Sequence, residues 1–424
     1  MGLWSFLKRL FFPSKPVKSG AHPASQHSSA LAPAASELVP LRHPVTRSTW
    51  STNQLVLADA PPYRFARPNI NGRGEFLDLS RDVNNERLTR FGLPNFATPE
   101  QLASWLGISI GQLAWLVHRF TVDARPKSQQ SAHYHCRWVR KRSGGLRLIE
   151  SPKPILKAVQ SKILREILDR VPPHPSAHGF AAGRSIVTNA KPHVGRAVLL
   201  KMDLENFYPT VTMARVTAIF RSIGYSREAA IWLARLTTSA LPMNTPFIKS
   251  EPAAILPYLR RHLPQGAPTS PALANLSAWG LDVRLSGLAR SFGATYTRYA
   301  DDLTFSGPEE FIPSLRDFIP LVTRVIRAER FRVHKKKRKV IRDNARQTVT
   351  GVVVNQRLNV QRSEFDRLKA ILTNCARHGP SSQNRENHEN FTAHLRGRIA
   401  QISQLNPKRG SKLLGIYQRI DWRR

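Results

Sequence analysis

The chain is 424 residues long and 41% hydrophobic, with 8 Trp and 19 Phe, enough apolar material to bury more than one core. Its 65 Lys and Arg against 28 Asp and Glu give a formal charge of +37, far beyond the needs of solubility, which points to a polyanionic partner, nucleic acid ahead of an anionic membrane. The two cysteines, Cys136 and Cys375, lack C-x-x-C spacing and so exclude a disulfide scaffold and a zinc site. No apolar run reaches the roughly 20 residues of a membrane span, so a reducing, cytoplasmic location without a transmembrane segment is expected.

Residues 1–12 are apolar with two positive charges, a pattern for a short amphipathic helix or for an arm that packs on the main domain. Residues 13–60, rich in Ser, Pro, Ala and His without periodicity, read as a disordered linker. Thr98 as N-cap and Pro99 in the first turn open a helix to Leu106, and Gly107 separates it from a second apolar helix over 111–117. The Leu and Trp content of this pair favours scaffold over a DNA-reading helix-turn-helix. Residues 137–149 read as two strands around a basic, glycine-containing turn, and residues 154–168 as an amphipathic helix with a basic face. Further helices are predicted over 213–223, 226–240, 271–291 and 313–329, and mixed with the strands they indicate an α+β or α/β core.

Two strand ends carry acids. The apolar run Leu199-Leu200-Lys201-Met202 ends in Asp203, followed by Glu205, read as a surface charge, and the aromatic pair Phe207-Tyr208. Tyr299-Ala300-Asp301-Asp302 lies between the β-forming runs 295–297 and 303–305, which places Asp301 and Asp302 at the tip of a tight hairpin. Three crowded carboxylates raise one another's pKa and are tolerated mainly around divalent cations, the arrangement of two-metal phosphoryl chemistry.

The order of Asp203, then Leu263-Pro264-Gln265-Gly266-Ala267-Pro268, then Tyr299-Ala300-Asp301-Asp302 resembles the palm of a reverse transcriptase. Asn189-Ala190-Lys191-Pro192-His193 and Val349-Thr350-Gly351 match elements that mark bacterial retron reverse transcriptases, and the resemblance spans residues 85–424. It implies an α+β right-hand polymerase with fingers, palm and helical thumb behind a largely disordered N-terminal extension. The expected boundaries are 1–65 for a basic arm and linker, 66–200 for N-terminal helices and fingers, 201–350 for the palm, and 351–424 for an RNA-binding thumb.

The same resemblance implies that Asp203, Asp301 and Asp302 are catalytic and bind two Mg2+ ions, Asp302 mattering least. It makes Tyr208 a steric gate against a 2′-hydroxyl, and it sets Gln265 and Gly266 beside nucleotide and template. Lys141 and Arg147 would grip the triphosphate, with Arg140 and Arg142 competing for that role. Lys337 would give a proton to departing pyrophosphate, unless His334-Lys335-Lys336-Lys337-Arg338 is a plain nucleic-acid-binding charge run. Asn189, His193, Arg396, Arg398, Lys408, Arg409 and Lys412 are expected to contact RNA.

The implied activity is RNA-directed DNA synthesis from deoxynucleoside triphosphates, with one cognate structured noncoding RNA as primer and template. Starting from the 2′-hydroxyl of an internal guanosine, it would yield branched RNA–DNA (msDNA), in anti-phage defence with a separate effector protein. The rival readings are a group II intron-like or other defence-associated reverse transcriptase, and a non-catalytic RNA-binding protein of the same fold. Intron enzymes commonly add a segment after the thumb, for which this chain leaves no room, and the three Asp argue against a non-catalytic protein.

Overall fold

The computed structural model describes residues 55–57, 63–65, 75–121, 125–141, 144–245 and 252–423. The expected amphipathic segment 1–12, most of the linker 13–60, and Arg142 lie outside the described residues. One piece of the expected linker is a strand instead: Leu55–Leu57 (β1) pairs antiparallel with Glu75–Leu77 (β2), its Leu-Val-Leu triplet being a strong β-former.

Helices Asn85–Arg90 (α1), Pro99–Leu106 (α2) and Ile110–Leu116 (α3) come first. Thr98 and Ser109 close capping boxes with Gln101 and Gln112, and Leu102, Leu106, Leu113 and Leu116 are buried, so the pair is scaffold as its composition indicates. The basic hairpin follows as Tyr134–Arg140 (β3) and Leu146–Pro152 (β4), then helix Pro154–Glu166 (α4).

The centre is an antiparallel four-stranded sheet. Its members are Val198–Asp203 (β5), Thr295–Tyr299 (β6), Asp302–Gly307 (β7) and Lys339–Arg342 (β8), in the order β6-β7-β5-β8. Val198, Leu199 and Leu200 are fully buried because both faces of β5 are covered, which explains an apolar run without alternation. On one face, Phe318 of helix Phe311–Ala328 (α11) meets Phe305 of β7 edge-on at 5.2 Å, and Phe305 stacks on Tyr296. The other face is closed by Ala190 of Ile186–Ala190 (α5) and by the ribbon Thr348–Val349 (β9) and Val352–Val353 (β10), whose valines join Leu199. The palm sheet therefore starts ahead of the expected boundary at 201, and its packing continues past 350.

Between β5 and β6 lie the short Phe207–Thr210 (α6), then Met213–Ser222 (α7) and Arg227–Thr237 (α8). The helix expected over 271–291 is two: Ser270–Ser277 (α9) and Trp279–Ser291 (α10), divided at Ala278, whose ψ of 3° leaves the helical range. Helices Arg362–His378 (α12), Phe391–Leu405 (α13) and Pro407–Tyr417 (α14) form a thumb around Leu368, Leu372, Leu395, Ile399 and Leu413. No described helix is long and apolar enough to cross a membrane.

Candidate active site

Asp203 and Asp302 are direct partners across the β5–β7 ladder, and so their side chains share one face. Tyr299 pairs with Asp302, leaving Ala300 and Asp301 as a two-residue turn in which Ala300 takes the left-handed φ of 55°. The Leu204 N–H donates to the Asp301 carbonyl at 2.9 Å and fastens the turn to the end of β5. Burial, with the Asp203 charge beside it, pushes the Asp301 carboxyl up to about 6. Asp302 is likewise raised, first by burial, while Lys201 and Lys337 oppose the shift. The ammonium of Lys337 lies 3.0 and 3.2 Å from the two oxygens of Asp203.

Among the described residues, no three acidic, His or Cys side chains close into a single metal cage. A cluster of carboxylates whose pKa values are raised by burial and by one another is a donor set that a divalent cation relieves.

The turn that carries Asp301 hangs on a residue that sequence reasoning missed. Arg298 in β6 is fully buried and grips Asp282 of α10 with two bonds, Nε to Oδ1 at 2.8 Å and Nη2 to Oδ2 at 2.6 Å. Its Nη1 donates to Asn275 Oδ1 at 2.9 Å and to the Ala300 carbonyl at 3.0 Å. From the other side, Gly179 packs so tightly that a Cβ there would lie 2.7 Å from the Ala300 nitrogen. A lone cation inside a strand otherwise made of the uncharged β-formers Thr and Tyr was the available signal.

Of the residues expected around a nucleotide, Lys337 is the one bonded to an acid of this cluster. Lys141, at the end of the fingers hairpin, has its ammonium pKa lowered, first by burial and then by the nearby cations Arg147 and Lys337, with Glu205 and Asp203 opposing. Arg147, paired with Val139 across the same hairpin, is exposed. Tyr208 on α6 is half-buried, and burial followed by the Asp301 charge pushes its phenol up to about 12, so it stays protonated. The Gln265 carbonyl accepts the Glu150 N–H at 2.9 Å. Gly266 has φ of 131°, and a Cβ on it would lie 2.9 Å from the Glu150 carbonyl oxygen, so this turn docks on β4 only with glycine. Glu205 is exposed, as expected of a surface charge.

Two expected RNA contacts, the buried His193 and Asn189, are corrected. His193 is fully buried and bridges the Ser306 hydroxyl at 2.6 Å and the Thr297 hydroxyl at 2.8 Å. Asn189 is 1% exposed and reaches Thr350 at 3.4 Å, so the two retron-type elements bind each other beneath the palm sheet rather than RNA. Arg409 turns inward to Asn359 at 3.2 Å and over the Phe365 ring at 4.9 Å, holding α14 to α12. Arg396, Lys408 and Lys412 are exposed, and Arg398 is 3.6 Å from Glu364.

Comparison with known proteins bears directly on this geometry. The sequence profile of the family "Reverse transcriptase (RNA-dependent DNA polymerase)" matches residues 139–368, which include the three acids and strand β4. The Retron Mx65 reverse transcriptase of Myxococcus xanthus is 43% identical over 330 residues, covering 77% of this chain and 73% of that one. Retron Mx162 reverse transcriptase of the same organism is 38% identical over 78% of this chain and 68% of its own length. Retron Ec86 reverse transcriptase of Escherichia coli is 31% identical over 80% and 94%. Members of this enzyme family use divalent metal ions, an RNA template and deoxynucleoside triphosphates. With acids, fingers and thumb arranged as described and such relatives spanning most of the sequence, the chain belongs to the retron reverse transcriptases and is an RNA-directed DNA polymerase.

Proposed function

We propose that Asp203 and Asp301, supported by Asp302, hold two magnesium ions, which lower the pKa of the attacking hydroxyl and neutralise the nucleotide phosphates. Lys141 and Arg147 grip the triphosphate, Arg147 with a fork suited to phosphate oxygens. The Tyr208 ring fills the space of a 2′-hydroxyl and selects deoxynucleotides by exclusion. Gln265 and Gly266 border the nucleotide and template. Lys337 Nζ leaves Asp203 when nucleotide arrives and carries a proton to the departing pyrophosphate. The single observation that carries this reading is the Asp203–Asp302 pairing with Asp301 in the adjoining turn.

The template is a cognate structured noncoding RNA that also supplies the priming 2′-hydroxyl of an internal guanosine, so the product is branched RNA–DNA. Arg396, Arg398, Lys408 and Lys412 of the thumb contact the phosphates of that RNA. The cellular role is anti-phage defence beside a separate effector, in a reducing cytoplasm that suits the free thiols of Cys136 and Cys375. The test is extension on the cognate RNA with magnesium and deoxynucleotides, followed by sequencing of the product. A branched RNA–DNA from the wild type, lost in Asp301→Asn with RNA binding intact, is expected. Undiminished extension by that variant overturns the assignment of the site, and an unbranched product overturns the retron chemistry.

A further inference from the structure

The basic run at 334–338 has two destinations. Lys337 turns to Asp203, whereas Lys335 and Lys336, in the same 3-10 turn Lys335–Lys337, line a separate groove of about 930 Å³ together with Arg327, Arg330 and Arg332. The only acid among the groove's lining residues is Glu205. All five of these cations are exposed, and among the described residues none of them has a salt bridge or a side-chain hydrogen bond. Like charges crowded into a concavity repel one another, a cost that an anionic ligand removes.

The groove is built onto the catalytic strand. The Glu205 N–H donates to the Arg332 carbonyl at 2.8 Å and the His334 N–H to the Asp203 carbonyl at 2.8 Å, with Leu204 bridged to Val333 between them. Glu205 therefore forms the rim between groove and active site, and its charge also reaches Lys141 across the cleft. The Phe331 ring is 1% exposed, which leaves the half-buried His334 imidazole as the one ring of the lining open to a base, so the groove offers mainly charge.

We propose that this groove is a second phosphate-binding channel, which holds the sugar-phosphate backbone of structured RNA lying outside the template–primer cleft. Resting on the proposed function, it says where RNA too bulky for the cleft is seated. A ligand bound chiefly by charge is recognised by shape and backbone, the mode by which folded RNA is held. Arg and Lys suit it, since each exposed cation neutralises one phosphate and releases a counterion.

The test compares a groove variant, Arg327→Gln/Arg332→Gln/Lys335→Gln/Lys336→Gln, with a control that loses equal charge elsewhere, Arg90→Gln/Lys157→Gln/Arg165→Gln/Arg316→Gln. Affinity for a folded RNA hairpin and for a short RNA–DNA primer–template is measured over a salt series. In the groove variant, hairpin affinity is expected to drop at least about tenfold, with a salt slope shallower by about 0.7 to 0.9 for each phosphate that is no longer neutralised. The loss on the short duplex is expected to be several-fold smaller, and the control to track the wild type. Equal losses on both ligands, or equal losses in both variants, overturn the channel and leave a general surface charge. Double-stranded DNA competing as well as the hairpin overturns the assignment to RNA. A wild type that fails to extend any primer would instead count against the proposed function, which the binding series does not touch.

Discussion

Arg298→Met is the sharpest probe of how the catalytic turn is held. The substitution keeps a long apolar stem but deletes both bonds to Asp282 and the bonds to Asn275 and the Ala300 carbonyl. Asp282, fully buried, is left with only the Tyr296 hydroxyl at 2.8 Å. Stranding one partner of a buried ion pair costs about 3 to 5 kcal/mol, and the lost bond to Ala300 adds about 1 kcal/mol. A second substitution, Asp282→Leu, removes the stranded charge. Apolar replacement of a whole buried pair is often close to neutral, so Arg298→Met/Asp282→Leu is expected to recover part of the stability in urea denaturation, less about 1 to 3 kcal/mol for the buried Tyr296 hydroxyl that loses its acceptor. The Ala300 carbonyl stays unanchored in both variants. A shift of about 1 Å at a reacting group can cost about 100-fold, so single-turnover primer extension should remain at least about 10-fold slow in the double variant. Recovery of both stability and extension rate would refute the claim that Arg298 positions the turn. An unchanged urea midpoint in the single variant would refute the energetic value given to the buried pair.

Acidity should tell on the metal site with a definite sign. Because burial and Asp203 raise Asp301 to about 6, protons compete with the cation below that pH, and the magnesium concentration for half-maximal extension should climb as pH falls through about 6. A magnesium requirement flat across that range would contradict it. The same group favours the folded state at low pH, and that contribution is lost as pH rises from 3.8 towards about 6. Lys337→Met should split two readouts: tighter apparent magnesium binding, since a competing ammonium is gone from Asp203, and a maximal rate lower by roughly 100-fold if a proton donor is lost. Weaker magnesium binding would count against the competition. His193→Leu should cost about 1 to 3 kcal/mol by leaving the Ser306 hydroxyl unpaired and Thr297 with only its 3.4 Å bond to the Asn189 carbonyl, with RNA affinity unchanged. Burial holds His193 down at about 3, so the wild type should lose stability as pH falls from 6.5 towards that value and the variant should lose less. A large fall in RNA affinity without loss of stability would restore His193 as an RNA contact.

Much of the site was legible because it lies where local rules are strong. The apolar run before Asp203 and the β-forming residues around Asp301 and Asp302 specify a buried strand and a tight hairpin without reference to the rest of the chain. Polar residues with distant partners were not legible in this way. Asn189 and His193 look like surface ligands in sequence, and only the fold brings Thr350, Ser306 and Thr297 to them. The partner of Arg409, Asn359, was hidden for the same reason, since it lies in another segment of the thumb. The helix break at Ala278 carries no Gly or Pro, so residues 271–291 read as one helix in sequence, although the break lies between Asn275 and Asp282, the two residues that receive Arg298. The two roles of the basic run were hidden because adjacent lysines on a tight turn point apart, which only the 3-10 geometry reveals.

The most direct test is a crystal structure with a primer–template, manganese in place of magnesium and a nucleotide that cannot react, read by anomalous scattering. Two peaks about 3.5 to 4 Å apart, both touching Asp203 and Asp301 with the Lys337 ammonium displaced, are expected. Manganese bound elsewhere, with Lys337 still seated on Asp203 beside a bound nucleotide, would contradict the assignment of these carboxylates to phosphoryl transfer.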